Sequence, residues 1–309
     1  MSKTKDITKF SAEQLREFLM SFDTVMCDID GVLWQLNKPI EGTSESLVKL
    51  QNLEKQVYLV TNNSTKTLEN YTESAQHAGL NLSSDRVINP IKLIIWYLKK
   101  INFCDEVFAI VSDISQKMLR EAGIRLTEQP KVFQTDPVAT LKQLLDRPSI
   151  KAVIVDFDVN CNYSKLALAI SCLQRKDVLY ITGITEEWLQ VSPQIKILGP
   201  GPLINIISTQ SGKKPISCGK PSQNLKDYIL DKCNVTDPQR CLFIGDTANQ
   251  DMKFASMCGF IKLFVGTGYE TLEQAQKEDN TCPDYYLPNL NQLFSAYNDP
   301  QRIANHKDS

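Results

Sequence analysis

The chain has 309 residues, 42% of them apolar, with 34 Lys and Arg against 36 Asp and Glu. That length suits about two domains of roughly 100–200 residues, and a formal charge of −2 supplies no basic footprint for nucleic acid or for an anionic membrane surface. No apolar run approaches the roughly 20 residues of a membrane helix, and the first ten residues lack the apolar stretch of a signal peptide, so a cytoplasmic location is expected.

The nine cysteines are scattered and form no C-x-x-C pair. They read as reduced thiols, with Cys27 and Cys241 buried inside apolar runs. Two histidines, His77 and His306, build no His/Cys metal cluster, and a Ser-His-Asp triad would need His77.

In chain order, Ser11-Ala12-Glu13-Gln14 carries the capping-box pattern that opens a helix. Residues 24–27 are a short apolar run ending in Asp28-Ile29-Asp30-Gly31, the signature of a buried strand. Leu47, Leu50 and Leu53 share one helix face, and 57–60 is a second strand ending in Thr61-Asn62-Asn63. Strand, helix and strand in this order predict a parallel crossover. The middle repeats the alternation, with strands over 107–111, 152–155 and 178–181 and helices over 115–122, 137–145, 165–173 and 203–207. Residues 216–218 lead to Gly219-Lys220-Pro221, a helix is predicted over 224–230, and the strand 241–244 stops at Gly245-Asp246. A helix over 249–257 and a strand over 261–265 follow, and the tail from Asp299 is polar. The class is α/β, and ligands of parallel sheets bind at the carboxyl ends of strands.

Asp28 and Asp30 place two carboxylates just past one strand. Like charges so close raise a carboxyl pKa unless a cation intervenes. A divalent metal would leave one carboxylate to attack phosphorus while the other handles protons. Gly31 permits a turn and a close backbone approach to a phosphate. The plain alternative is an Asp-turn at a strand end, and the same spacing serves as a metal site in some glycosyltransferases. Thr61, Asn62 and Asn63 offer a hydroxyl and amides to phosphoryl oxygens, or else an ordinary helix cap. Lys220 is able to neutralise a carboxylate–phosphate pair, or is simply an exposed lysine. Asp246 and Asp251 suit the oxygen ligands of magnesium, or the dipole at a helix N-terminus.

Taken together and in this order, Asp28-Ile29-Asp30-Gly31-Val32-Leu33-Trp34, Val60-Thr61-Asn62-Asn63-Ser64-Thr65-Lys66-Thr67, Gly219-Lys220-Pro221-Ser222 and Gly245-Asp246 with Asp251 resemble the four motifs of the haloacid dehalogenase superfamily. The branch resembled is the para-nitrophenylphosphatases, which includes pyridoxal phosphate and phosphoglycolate phosphatases. The resemblance implies a Rossmann-like core with a parallel sheet over 1–102 and 214–309, and an α/β cap inserted over 103–213 that limits substrate size and often forms a homodimer contact. It implies Mg2+-dependent hydrolysis of small phosphate monoesters through an aspartyl-phosphate. Asp28 is then the nucleophile and a metal ligand. Asp30 is the general acid and base, its carbonyl on the metal. Thr61, Asn62 and Asn63 hold the phosphoryl group, Lys220 orients Asp28, and Asp246 and Asp251 complete the metal shell.

Three departures stand out. Thr247 replaces the usual Arg and is expected to loosen the metal-side loop. Ile181-Thr182-Gly183-Ile184-Thr185 replaces the cap pattern Ala-Thr-Asn with its acidic residue, and Leu198-Gly199-Pro200-Gly201 replaces a Pro-Gly-Thr-Gly linker. They motivate an alternative reading, a weakly active paralogue that binds phosphorylated ligands or a protein partner. A sugar transferase using Asp28 and Asp30 only for metal leaves Lys220 and Asp246 unexplained.

Overall fold

A computed structural model describes residues 4–35, 38–130, 136–145, 147–192 and 194–295; the predicted polar tail from Asp299 lies outside them. The chain divides into two compact units, one of residues 1–61, 68–88 and 226–309, the other of 62–67 and 89–225. Among the described residues no helix is long and apolar enough to cross a membrane.

The first unit is built on a parallel sheet of seven strands. Their spatial order is Lys5–Asp6, Tyr285–Leu287, Ile261–Val265, Cys241–Gly245, Thr24–Cys27, Gln56–Val60 and Val87–Ile88. The central strands are apolar on both faces, as a sheet covered on both sides requires: Val25, Met26, Cys27, Val57, Leu59, Leu242, Phe243 and Ile244 are all buried. Helix Ala12–Met20 begins at the predicted capping box, with Ser11 and Gln14 exchanging hydrogen bonds, and buries Leu15, Phe18 and Leu19 in the same core as Phe22. The edge strands Lys5–Asp6 and Val87–Ile88, and Tyr285–Leu287 next to the first of them, have only two or three residues each, too few to show a period.

One predicted helix differs. The segment expected as a helix over 249–257 opens with a π-helical turn, Ala248–Met252, before helix Lys253–Cys258. The cause is the Thr247 carbonyl, which accepts from both Asp251 N at 3.2 Å and Met252 N at 3.1 Å. The second of these bonds spans five residues and widens the turn.

The second unit has its own parallel sheet, in the order Ile216–Ser217, Leu179–Thr182, Ile150–Val155, Glu106–Ile110 and Arg125–Leu126. Helices Tyr163–Leu173 and Gly201–Ser211 pack Leu168, Cys172, Ile204 and Ile207 against Phe108, Val153 and Val155. An antiparallel pair, Trp188–Ser192 with Ile195–Leu198, leads from the Leu179–Thr182 strand to the second of these helices. All nine cysteines are thiols; Cys27, Cys172, Cys218, Cys233, Cys241 and Cys258 are buried and Cys104 is exposed.

Pairing of Thr182 with Val155 brings Asp156 and Gly183 side by side just past their strands. Asp156 is fully buried. Its Oδ1 accepts from Ile184 N at 3.3 Å, and Oδ2 has no hydrogen-bond partner among the described residues. Burial raises the Asp156 acid above the ordinary carboxyl range. The folded chain therefore holds a proton that the unfolded chain releases, so stability falls as pH rises from the unfolded value of about 4 toward the raised one. Asp156→Asn keeps the Oδ1 acceptor and removes the charge. It is expected to stabilise the chain at pH 7 by on the order of 1–3 kcal/mol, with the gain fading toward pH 4; thermal melts across that range check it, and a pH-independent effect would contradict the assignment.

Candidate active site

Strand register gathers the acidic residues of the first unit. Cys27 pairs with Ile244 on one side and with Leu59 on the other. Asp28 therefore lies level with the end of both neighbouring strands, and its N–H donates to Ile244 O at 2.9 Å. Asp246 follows the Cys241–Gly245 strand and Thr61 follows Gln56–Val60, whose last residues pair with Val87–Ile88; the Thr61 N–H donates to Ile88 O at 3.0 Å.

Asp28, Asp246 and Asp251 are all buried, and each offers a carboxylate oxygen within 4.8 Å of the others. Three acidic groups so close in a low-dielectric site are costly unless a cation joins them. This donor set, all oxygen and all anionic, fits a hard divalent cation such as magnesium. Asp30 is half-buried at a tight turn, where Gly31 N donates to Trp34 O at 2.7 Å.

Close backbone approaches shape this corner. Gly31 has φ +89°, and a Cβ there would stand 2.2 Å from Asp246 Oδ2. A Cβ on Gly268 would stand 1.8 Å from the same oxygen. The approach that demands glycine at 31 is thus to Asp246. Thr267 Oγ1 donates to Gly31 O at 2.6 Å and ties the two loops together.

Asp251 is held from several sides. Its Oδ2 accepts from Thr247 Oγ1 at 2.6 Å, Thr247 N at 3.1 Å and Asp246 N at 3.2 Å. Thr247 Oγ1 in turn accepts from Asp251 N at 3.3 Å. The expected loosening by Thr247 is therefore corrected: its short hydroxyl closes the loop on Asp251. Glu270 Oε2 accepts from Ala248 N at 2.6 Å. Burial first, and then the Asp251 charge, push the Glu270 acid up. Tyr71, buried and hydrogen-bonded to Thr61, has its phenol held neutral, first by burial and then by the negative charge of Asp30 and Asp28.

Asn62, Asn63 and Lys220 belong to the second unit. Asn62 Oδ1 accepts from Lys220 N at 2.7 Å, and Asn62 Nδ2 donates to Lys220 O at 3.0 Å. Lys220 is only 4% exposed, so the alternative of an ordinary surface lysine falls. Asn63 Oδ1 accepts from Thr65 N at 2.9 Å and Thr65 Oγ1 at 2.7 Å, which closes its own turn.

Sequence reasoning passed over Tyr71, Thr267, Gly268, Glu270, Asp156 and Glu186. For Thr267 and Gly268 a signal existed, since they follow the Ile261–Val265 strand just as Asp28, Thr61 and Asp246 follow theirs. The Gly183 departure also gains a cause. A Cβ at 183 would fall 2.6 Å from the Asp156 Cγ, so the carboxylate occupies the space of a side chain.

The model of haloacid dehalogenase-like hydrolases matches residues 25–125, and a second model of HAD-hydrolase-like proteins matches 217–293, together more than half of the chain. A glycerol-3-phosphate phosphatase of Gallus gallus is 28% identical over 303 residues, covering 94% of this chain and 97% of its own. A 4-nitrophenylphosphatase of Schizosaccharomyces pombe is 28% identical, covering 92% and 97%. The fold matches the p-nitrophenyl phosphatase structure from Archaeoglobus fulgidus at a TM-score of 0.75 and 22% identity, over 89% of this chain and 99% of that one. With its acidic cluster at the carboxyl edge of a parallel sheet and relatives that are phosphatases along nearly their full length, the chain belongs to the haloacid dehalogenase-like hydrolase family of enzymes.

Proposed function

We propose that the chain hydrolyses small phosphate monoesters through a phospho-aspartate formed on Asp28. The observation that carries this reading is the buried cluster of Asp28, Asp246 and Asp251 beside the Thr61 strand end. Asp28, the Asp30 carbonyl and Asp246 would hold Mg2+, with Asp251 fixing the shell; the bound ion supplies charge that offsets the phosphate and the carboxylates.

In the first step an Asp28 carboxylate oxygen attacks phosphorus. The bond from phosphorus to the ester oxygen breaks, and Asp30 gives its proton to the departing alkoxide. In the second step a water attacks the phosphorus of the acyl phosphate while Asp30 takes its proton, and phosphate leaves with Asp28 restored. Thr61, Asn62 and Asn63 hold the phosphoryl group, and Lys220 balances its charge. Positioning and charge neutralisation supply most of the rate in such transfers. Tyr71, held neutral, remains a hydrogen-bonding group for Thr61 at working pH.

The relatives' names include glycerol 3-phosphate, phosphoglycolate and 4-nitrophenyl phosphate, and these set the substrate class proposed. The same reading makes residues 103–213 the cap, a contact for a homodimer, and the protein a cytoplasmic enzyme.

Asp28→Asn is expected to lower turnover of para-nitrophenyl phosphate by roughly a thousandfold or more with the melting temperature retained. Wild-type turnover in that variant would overturn the mechanism, and no magnesium-dependent turnover in the wild type would favour the phospholigand-binding paralogue. Chelation by EDTA is expected to abolish activity and added Mg2+ to restore it. Gly268→Ala, which presses a methyl onto Asp246, should raise the magnesium needed for half-maximal rate by about tenfold or more, read by metal titration.

A further inference from the structure

The Asn62 side chain is held from a third direction. Its Nδ2 donates not only to Lys220 O but also to Glu186 Oε1, at 2.8 Å. With Oδ1 accepting from Lys220 N, the amide grips both sides of the Lys220 backbone while Glu186 fixes its outer edge. The two Lys220 bonds already decide which end of the amide is nitrogen; the Glu186 carboxyl oxygen on the second N–H adds a third restraint on its terminal torsion.

The Glu186 main chain is itself built in. Glu186 O accepts from Gly201 N at 2.9 Å, and Glu187 O accepts from Gly199 N at 2.8 Å. A Cβ on Gly199 would stand 2.2 Å from Glu186 O, and one on Gly201 would stand 2.8 Å from it. Gly199 and Gly201, the two positions at which this stretch keeps the glycines of the Pro-Gly-Thr-Gly pattern, thus admit a backbone contact that a side chain at either would block. Glu186 Oε2 is buried with no hydrogen-bond partner among the described residues. Burial raises the Glu186 acid, the Asp156 charge adds to the rise, and the Lys220 charge opposes it. Protonation at Oε2 leaves Oε1 still an acceptor for Asn62.

We propose that Glu186 is a positioning residue for the reaction, fixing the Asn62 amide and through it the backbone of Lys220. This rests on the roles given above to Asn62 and Lys220. A contact that works through the hydrogen bond and not through charge survives substitution by glutamine, which presents the same Oε1 acceptor to Asn62.

The test compares Glu186→Ala, Glu186→Gln and Gly199→Ala with the wild type on para-nitrophenyl phosphate and magnesium, together with amide hydrogen exchange of the segment holding Lys220. Glu186→Ala is expected to lower kcat by about tenfold with KM within about twofold, and to speed exchange at the Lys220 amide. Glu186→Gln should return both to near wild type. Gly199→Ala, which displaces the Glu186 backbone, should follow the alanine variant at 186. Wild-type kcat and exchange in Glu186→Ala, or a Glu186→Gln as impaired as the alanine variant, overturns the proposal. A wild type without magnesium-dependent turnover sinks the phosphatase reading instead. The exchange rates then decide on their own whether Glu186 holds Lys220: unchanged protection in Glu186→Ala overturns the contact.

Discussion

Bringing Asp28, Asp246 and Asp251 together in a buried corner is the interaction on which the first unit depends. Mutual repulsion and lost hydration both oppose it. What enforces it is backbone pairing. The Thr24–Cys27 strand is bonded along its length to Cys241–Gly245 and Gln56–Val60, and its flanks are packed with buried Val, Leu, Ile and Phe. Spreading the carboxylates would mean breaking that ladder, so the hydrophobic core bears the electrostatic cost and holds the three acids together.

A second theme is the carboxylate seated against glycine. In the first unit Asp246 lies over Gly31 and Gly268, and Asp251 lies over Gly245, where a Cβ would meet its own at 2.3 Å. In the second unit Asp156 fills the space beside Gly183. Each arrangement lets an acid sit deeper than a neighbouring side chain would permit. Each also fixes the acid by shape as well as by hydrogen bonds, which suits groups whose job requires a set position.

Much of this was legible in the residues. The four central strands of the first sheet and the acids at two of their ends follow from short apolar runs stopped by Asp, Gly or Thr, and parallel order follows from strand–helix alternation. The short outer strands Lys5–Asp6, Tyr285–Leu287 and Val87–Ile88 were not legible because two or three residues carry no period. The π-helical turn was hidden because helix and π-turn share composition; the difference lies in one carbonyl accepting twice. Thr247 was misjudged since a short hydroxyl in place of a long cation reads as a loss, whereas its reach matches Asp251. Glu186 was invisible because its partner Asn62 lies 124 positions away, and no local spacing encodes that bond.

The sheet order carries a consequence for biosynthesis. Thr24–Cys27 leaves the ribosome early, yet one of its two neighbours, Cys241–Gly245, is more than two hundred residues downstream. The intervening stretch includes all of the second unit, whose strands, among the described residues, pair only among themselves. Domains complete themselves in order of emergence, so this insert is able to finish first while the nascent strand before Asp28 waits half-paired, an open edge exposed to chaperones and to neighbouring chains. Loop-closure entropy over that span makes its completion slow, and the surroundings of Asp28 are assembled only after the downstream Cys241–Gly245 strand has emerged.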